Sequence, residues 1–263
     1  MPSEINQTNA VDAQHLKKLL VLMLEANEVP MIYGPPGIGK TKIVEELAEE
    51  LGYEIIKMPL IYMDQTDLRG IPDLDKTSST TEWKPPKILP FKQNGIYKDD
   101  KKIILLIDEL PQANPSLQNS VSSLLYGGKI GEFQVTDGTR IICIGNRDED
   151  RAATYKMPTH VGNRVCHITL LFEFGCWLTW AQENGIHPAV MAYGKYRPNN
   201  INNFNPDSRI NATPRIWEKI SKILRISPKI EKHVEAVIAG FVGDGVAKEF
   251  IAFNQLFLFI DRF

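Results

Sequence analysis

The sequence predicts an α/β fold built on a parallel sheet, followed by a small α-helical domain. Three observations carry this prediction. Strand and helix patterns alternate from residue 29 onward, and a strand, loop, helix, strand order is the signature of parallel α/β units. The glycine-rich turn GPPGIGKT, residues 34–41, lies between a strand pattern and a helix pattern. The run IILLIDEL, residues 103–110, is apolar without alternation, as expected of a strand buried on both faces.

In chain order, Leu16, Leu19, Leu20, Met23 and Ala26 recur at helical spacing, and VPMIY, 29–33, is a short apolar strand. After the glycine turn, Ile43, Val44, Leu47, Ala48 and Leu51 line one face of a helix, and YEIIKMPL, 53–60, is a second strand following Gly52. Residues 64–100 are polar and rich in Pro and Gly, too long for a plain connection, which points to a functional loop or an inserted hairpin. KKIILLIDEL, 101–110, is the central strand. Asn114-Pro115 reads as a cap with proline in the first turn, and Leu117, Val121, Leu124 and Leu125 give the helix its face. GEFQVTDGTRIICIGN, 131–146, reads as a strand, an Asp-Gly turn and another buried strand. Arg164 stands between a Gly-Asn turn and a short apolar run, 165–171, that ought to be buried; taken alone it is a solvated strand-edge cation. Residues 199–211 contain six asparagines and read as loop. Three helical patterns follow, at 214–226, 228–242 and 246–260. The expected division is a core, 1–200, with an insertion around 64–100, and a helical domain, 201–263.

The chemistry concentrates at two of these sites. GPPGIGKT fits the phosphate-binding pattern G-x-x-x-x-G-K-[ST] in its required strand-to-helix setting. Gly34, Pro35, Pro36, Gly37, Ile38 and Gly39 form a loop whose backbone N–H groups can wrap phosphates at the positive end of the following helix. Lys40 is placed to reach the β and γ phosphates, Thr41 offers a hydroxyl to Mg²⁺, and Lys42 completes the nucleotide-binding stretch. In IILLIDEL the apolar run ends in two adjacent carboxylates, costly at a buried strand exit unless used. Asp108 is the magnesium-side acid of a Walker B pattern, and Glu109 could orient or polarise an attacking water. Asn146 ends another buried strand at the same predicted sheet edge, where ligands bind in open α/β folds and it could help hold water against the γ phosphate; taken alone, an asparagine ending a strand is usually a turn former.

Composition narrows the function classes. Thirty Lys and Arg oppose 32 Asp and Glu, a formal charge of -2, so no global basic excess advertises nucleic acid or an anionic membrane. No stretch approaches the length of a membrane helix, residues 1–9 lack a signal-peptide pattern, and a cytoplasmic location is expected. The apolar run FIAFNQLFLFIDRF, 250–263, either packs as a final helix or leads into further chain. Cys143, Cys166 and Cys176 form no CxxC pair and read as reduced core cysteines. The five histidines show no metal-ligand spacing, and neither a GxSxG elbow nor a Cys-His signature is present.

In this order the motifs resemble those of the AAA+ ATPases, specifically the MoxR-like, dynein-related branch. GPPGIGKT resembles its Walker A, LLIDEL its Walker B with the catalytic glutamate, and IGN its sensor 1. VGNRV is similar to the arginine-finger segment, ATPRIWEKIS to the sensor 2 segment, and DLRGIPDL to the stretch before the helix 2 insertion. The resemblance implies a five-stranded parallel sheet, a helical lid, Mg²⁺-dependent ATP hydrolysis and a homo-oligomeric ring, commonly a hexamer. It implies Lys40 and Thr41 on phosphate and magnesium, Asp108 on the metal and Glu109 on water. Asn146 becomes sensor 1, Arg164 the finger and Arg215 sensor 2. The finger departs from the branch's usual Asp-Arg-Phe, being Asn163-Arg164-Val165, and Arg147 and Arg151 are its rivals.

The expected function is therefore ATP-driven, chaperone-like remodelling of a protein partner, with a von Willebrand factor A-type protein the first partner to seek. The alternatives are an ATP-controlled assembly factor directed by DNA and a monomeric P-loop kinase or GTPase. Around Trp83 and Phe91, TTEWKPPKILPF either faces a pore or partner or covers the core edge. YGGKIGEF, 126–133, resembles a pore-lining hairpin, although Tyr126 could equally just pack.

Overall fold

A computed structural model describes residues 8–73, 81–150 and 155–260. In chain order the elements are β1 (Ala10–Val11), α1 (Ala13–Ala26), β2 (Pro30–Tyr33), α2 (Lys40–Leu51), β3 (Glu54–Pro59), α3 (Gln65–Arg69), β4 (Ile71–Asp73) and β5 (Glu82–Lys84). Then come β6 (Ile103–Asp108), α4 (Pro115–Gly127), β7 (Lys129–Ile130), β8 (Phe133–Gln134), β9 (Thr139–Gly145), α5 (Thr159–Gly162) and β10 (Cys166–Leu170). Helices α6 (Phe174–Glu183), α7 (Pro188–Tyr196), α8 (Pro214–Ile226), α9 (Lys232–Val242) and α10 (Asp244–Ile260) complete the chain.

The main sheet has six strands in the order β1-β10-β2-β9-β6-β3, every pairing parallel. Five of them form the expected sheet, and β1 adds a two-residue edge by pairing Ala10 with Thr169 and Val11 with Leu170. Two residues are too few to show a period, so this strand exists only through its partner. The apolar runs of β6 and β9 feed two cores. Leu105, Ile107, Ile141 and Cys143 face the layer containing α4, whereas Ile104, Leu106, Ile142 and Ile144 face α1 and α2. Burial on both faces is why these strands show no hydrophobic alternation.

Residues 64–100 do hold an inserted hairpin, β4 antiparallel to β5. Phe91 is fully buried, while Trp83 stays partly exposed with the Arg69 guanidinium 5.4 Å from its ring centroid. Of that stretch's two readings, Phe91 therefore takes core covering. The Asp137-Gly138 turn does not close a hairpin. Instead β8 turns back on β7, pairing Ile130 with Phe133, and β9 runs separately into the main sheet. The cysteine expectation holds for position only at Cys143, which is buried; Cys166 is exposed and Cys176 half-buried, all three being free.

A third core binds the helices. Trp217, Tyr193 and Phe250 are fully buried against one another, with ring centroids 5.2 to 5.3 Å apart. This core draws in Trp177, Ala181 and Val190 from α6 and α7, upstream of the predicted division at 200. Helix α8 has its predicted bounds; α9 begins at Lys232, four residues beyond Pro228, and α10 at Asp244. No helix among the described residues is long and apolar enough to cross a membrane.

Candidate active site

Strand order brings the candidate residues together. Strand β2 lies between β9 on one side and β10 on the other, and because all run parallel the C-terminal ends of β2, β9 and β6 open at one edge. The turn 34–39 leaves β2, Asn146 follows β9, and Asp108 ends β6. Because β9 lies between the other two, Asn146 stands between the glycine turn and the acidic pair.

The glycine turn is built by conformation. Gly37 and Gly39 have φ of 81° and 109°, a region that L side chains avoid, and the turn leads straight into α2. Gly37 is also crowded: a Cβ there would lie 2.6 Å from Thr213 Oγ1. Helix α8 therefore docks its first turn on the loop, and the Arg215 N–H donates to Gly37 O at 3.3 Å. Thr213 stands at the N-cap of α8, yet its hydroxyl makes no cap bond; it packs on Gly37 instead.

Lys40 is 9% exposed and uses its ammonium on three acceptors. Its Nζ donates to Gly34 O at 2.5 Å, Pro35 O at 3.1 Å and Asn146 Oδ1 at 2.9 Å. Burial lowers its pKa to about 8, against the opposing pull of Asp150 and Asp108. Asn146 thus acts on the lysine directly, a contact across 106 residues.

Asp108 and Glu109 are half-buried. Desolvation raises both carboxyl pKa values, and in Glu109 the neighbouring Asp108 charge adds to it. Glu109 is one of two non-glycine residues with positive φ among those described, at φ 60° and ψ 35°, where the chain turns off β6. Sparsely populated backbone of this kind aims a side chain that regular strand would point elsewhere. Thr41 and Asp108 supply hard oxygen donors at this edge, and a cation would relieve the desolvation of Asp108, so the residues fit Mg²⁺.

Arg215 is exposed at the start of α8 and close enough for its charge to act on Lys40, Asp108 and Glu109. Lys42 is also exposed, with Glu46 at 3.9 Å. Both line a cleft of about 530 Å³ between the sheet layer and the helices, walled by Ile38, Phe172, Trp177 and Trp180. Glu46 bridges the two sides by accepting from Trp180 Nε1 at 2.7 Å. Of these wall residues only Ile38 was expected at the site; Phe172, Trp177 and Trp180 were missed in the sequence, and the three-residue spacing of the two tryptophans was the available signal.

Arg164 does not join this cluster. Its Nη1 donates to Ser122 O at 2.5 Å and to Ser122 Oγ, and its guanidinium lies 5.3 Å from the Tyr126 ring centroid. Its rival Arg147 is engaged by the buried Asp150, with Nη2 to Oδ1 at 2.9 Å. Arg151 lies outside the described residues.

Parts of the chain are similar to known proteins. Residues 30–149 match the family profile of the AAA domain, dynein-related subfamily. A ClpA homolog protein of Fuscovulum blasticum is 28% identical over 102 residues, covering 37% of this chain and 12% of that protein. The replication factor C large subunit of Aeropyrum pernix is 25% identical over 115 residues, covering 41% of this chain and 21% of that one. The chain thus spans a minor part of both curated relatives. Among solved structures, a point mutant of Thermotoga maritima RuvB superposes with a TM-score of 0.50 at 17% identity, covering 91% of this chain and 68% of that one. The fold, a six-stranded parallel sheet flanked by helices, matches that of the RuvB structure.

Proposed function

We propose, on the premise that residues 30–149 match an AAA domain of the dynein-related subfamily, that this chain is a MoxR-like, Mg²⁺-dependent ATPase working as a homo-oligomeric ring, a hexamer. The carrying observation is the convergence of Lys40, Asp108, Glu109 and Asn146 on one sheet edge, with Arg215 brought to them from α8. In this reading the loop 34–39 and Lys40 bind the phosphates, Thr41 and Asp108 hold Mg²⁺, and the cleft beside Lys42 takes the base. Bound Mg²⁺ would neutralise phosphate charge. Glu109 positions and deprotonates water, Asn146 orients it, and Arg215 lets the helical domain respond to the γ phosphate.

The ring supplies what a single subunit withholds. Arg164 is tied to α4, so the finger belongs to the neighbour's site, and hydrolysis depends on assembly. The work done is chaperone-like remodelling of a protein partner, a von Willebrand factor A-type protein being the first to test, in the cytoplasm. The domain division suited to this cycle lies near Phe172, ahead of α6, because α6 packs with the helical core.

Turnover per subunit should rise with protein concentration and then level off, in step with a rise in mass measured by light scattering with ATP. A constant rate per subunit from a particle of monomer mass would reject the ring.

Lys40 makes binding pH-dependent. Its pKa of about 8 is depressed by burial, and a bound polyphosphate favours the charged form, raising that value. ATP binding should therefore take up protons above pH 8, and affinity should fall as pH climbs through that point. Calorimetry at pH 8.5 in two buffers of different ionisation enthalpy measures the uptake; identical heats would contradict it.

A further inference from the structure

Helix α4 leaves the Glu109 turn with Asn114 as its cap, whose Oδ1 accepts from the Leu117 N–H at 3.0 Å. At its far end Ser122 and Tyr126 stand four residues apart, on one helical face. That face meets Arg164. Both Nη1 hydrogens are used, one on Ser122 O and one on Ser122 Oγ, while the Tyr126 ring lies under the guanidinium at 5.3 Å. The N–H groups of Nε and Nη2 have no partner among the described residues.

Tyr126 is 81% exposed, so its ring contributes little to the core. An unsupported arginine side chain has rotamer freedom that must be lost before it can act at a fixed point. Ser122 and Tyr126 remove that freedom in advance, one by gripping the end of the fork and the other by fixing its plane.

We propose that Ser122 and Tyr126 are positioning residues for Arg164, holding its guanidinium on α4 so that the Nε and Nη2 donors face an anionic acceptor on a neighbouring copy. The inference rests on the reading of Arg164 as a finger acting between subunits. It assigns Tyr126 to the interface and away from a pore, and it ties each finger rigidly to the helix that follows its own subunit's Glu109.

The test mixes two defective subunits. Arg164→Ala subunits keep Glu109 but supply no finger, and Glu109→Gln subunits supply a finger but cannot activate water. Turnover in the mixture arises where the second serves the first. Tyr126→Ala in the finger-supplying subunits should lower that turnover about tenfold, the scale of a desolvated cation–π contact, with KM for ATP within about twofold. The same substitution in the Arg164→Ala subunits should leave the mixture unchanged, and Tyr126→Phe in the finger suppliers should restore most of the rate because the ring face remains. Equal losses in both placements, or no loss in either, would overturn the proposal. Full turnover by Arg164→Ala alone would remove the finger reading beneath it, an outcome read before any mixing. Unfolding temperatures of the single variants check that each folds.

Discussion

Arg164→Ala is expected to lower ATP turnover by about a thousandfold while nucleotide affinity changes by less than about threefold. The asymmetry follows from position. Arg164 makes its contacts with Ser122 and Tyr126 on α4, and the groups whose charges act on Lys40 are Asp150, Asp108, Arg215 and Arg147. Ground-state binding in the same subunit therefore does not need it. In the proposed ring, charge that develops on the transferring phosphoryl group in an adjacent subunit does, because a guanidinium spreads positive charge over several donors. Steady-state turnover at saturating ATP, together with fluorescent-nucleotide titration, separates the two quantities. Unchanged turnover would shift the role to Arg147 or Arg151. Arg147 starts at a disadvantage, since Asp150 holds both its backbone N–H and its side chain.

Glu109→Gln should abolish hydrolysis by a factor of about a hundred to ten thousand and preserve ATP binding, so that the assembled, partner-bound state accumulates. Glutamine keeps the size and the left-handed backbone that β6 hands to residue 109, but it cannot take a proton. Mass measured with ATP and identification of co-purifying proteins check the trap. Turnover near the wild-type level would move the base elsewhere. A pH signature accompanies this result. Desolvation and the Asp108 charge raise the Glu109 pKa, so the acidic limb of the wild-type rate profile should lie above the ordinary carboxylate range. In the proposed mechanism activity requires the ionised base and is lost as pH falls through that raised value; the glutamine variant should lose the Glu109 contribution to that limb, leaving only that of Asp108.

Some of this was legible because it is local. The P-loop is contiguous, so its glycines, Lys40 and Thr41 declare themselves by spacing, and the apolar runs of β2, β6 and β9 report strands buried on both faces. Helix α4 announced its own start through Asn114-Pro115. Helices α6 and α7 went unread for a physical reason. FGCWLTWAQE holds three aromatic residues, a glycine and a threonine, all of weak helix preference, and its cap is Glu173 in place of the usual Ser, Thr, Asp or Asn. Helix α7 is opened by His187, whose Nδ1 accepts from Ala189 N. In the same way, Asp137-Gly138 looked like a hairpin turn because turn chemistry is local, whereas the choice of β7 as partner for β8 is not.

By itself the sequence determined the parallel α/β class, the phosphate loop and the acidic pair, because each depends on neighbours within a few residues. Only the tertiary structure decided the contacts between distant segments: Asn146 on Lys40 across 106 residues, Thr213 packed against Gly37, and Arg164 tied to Ser122 across 42. Those depend on strand order and on how helices dock over the sheet. Burial energies summed over the whole core choose that arrangement, and no short stretch of residues records it.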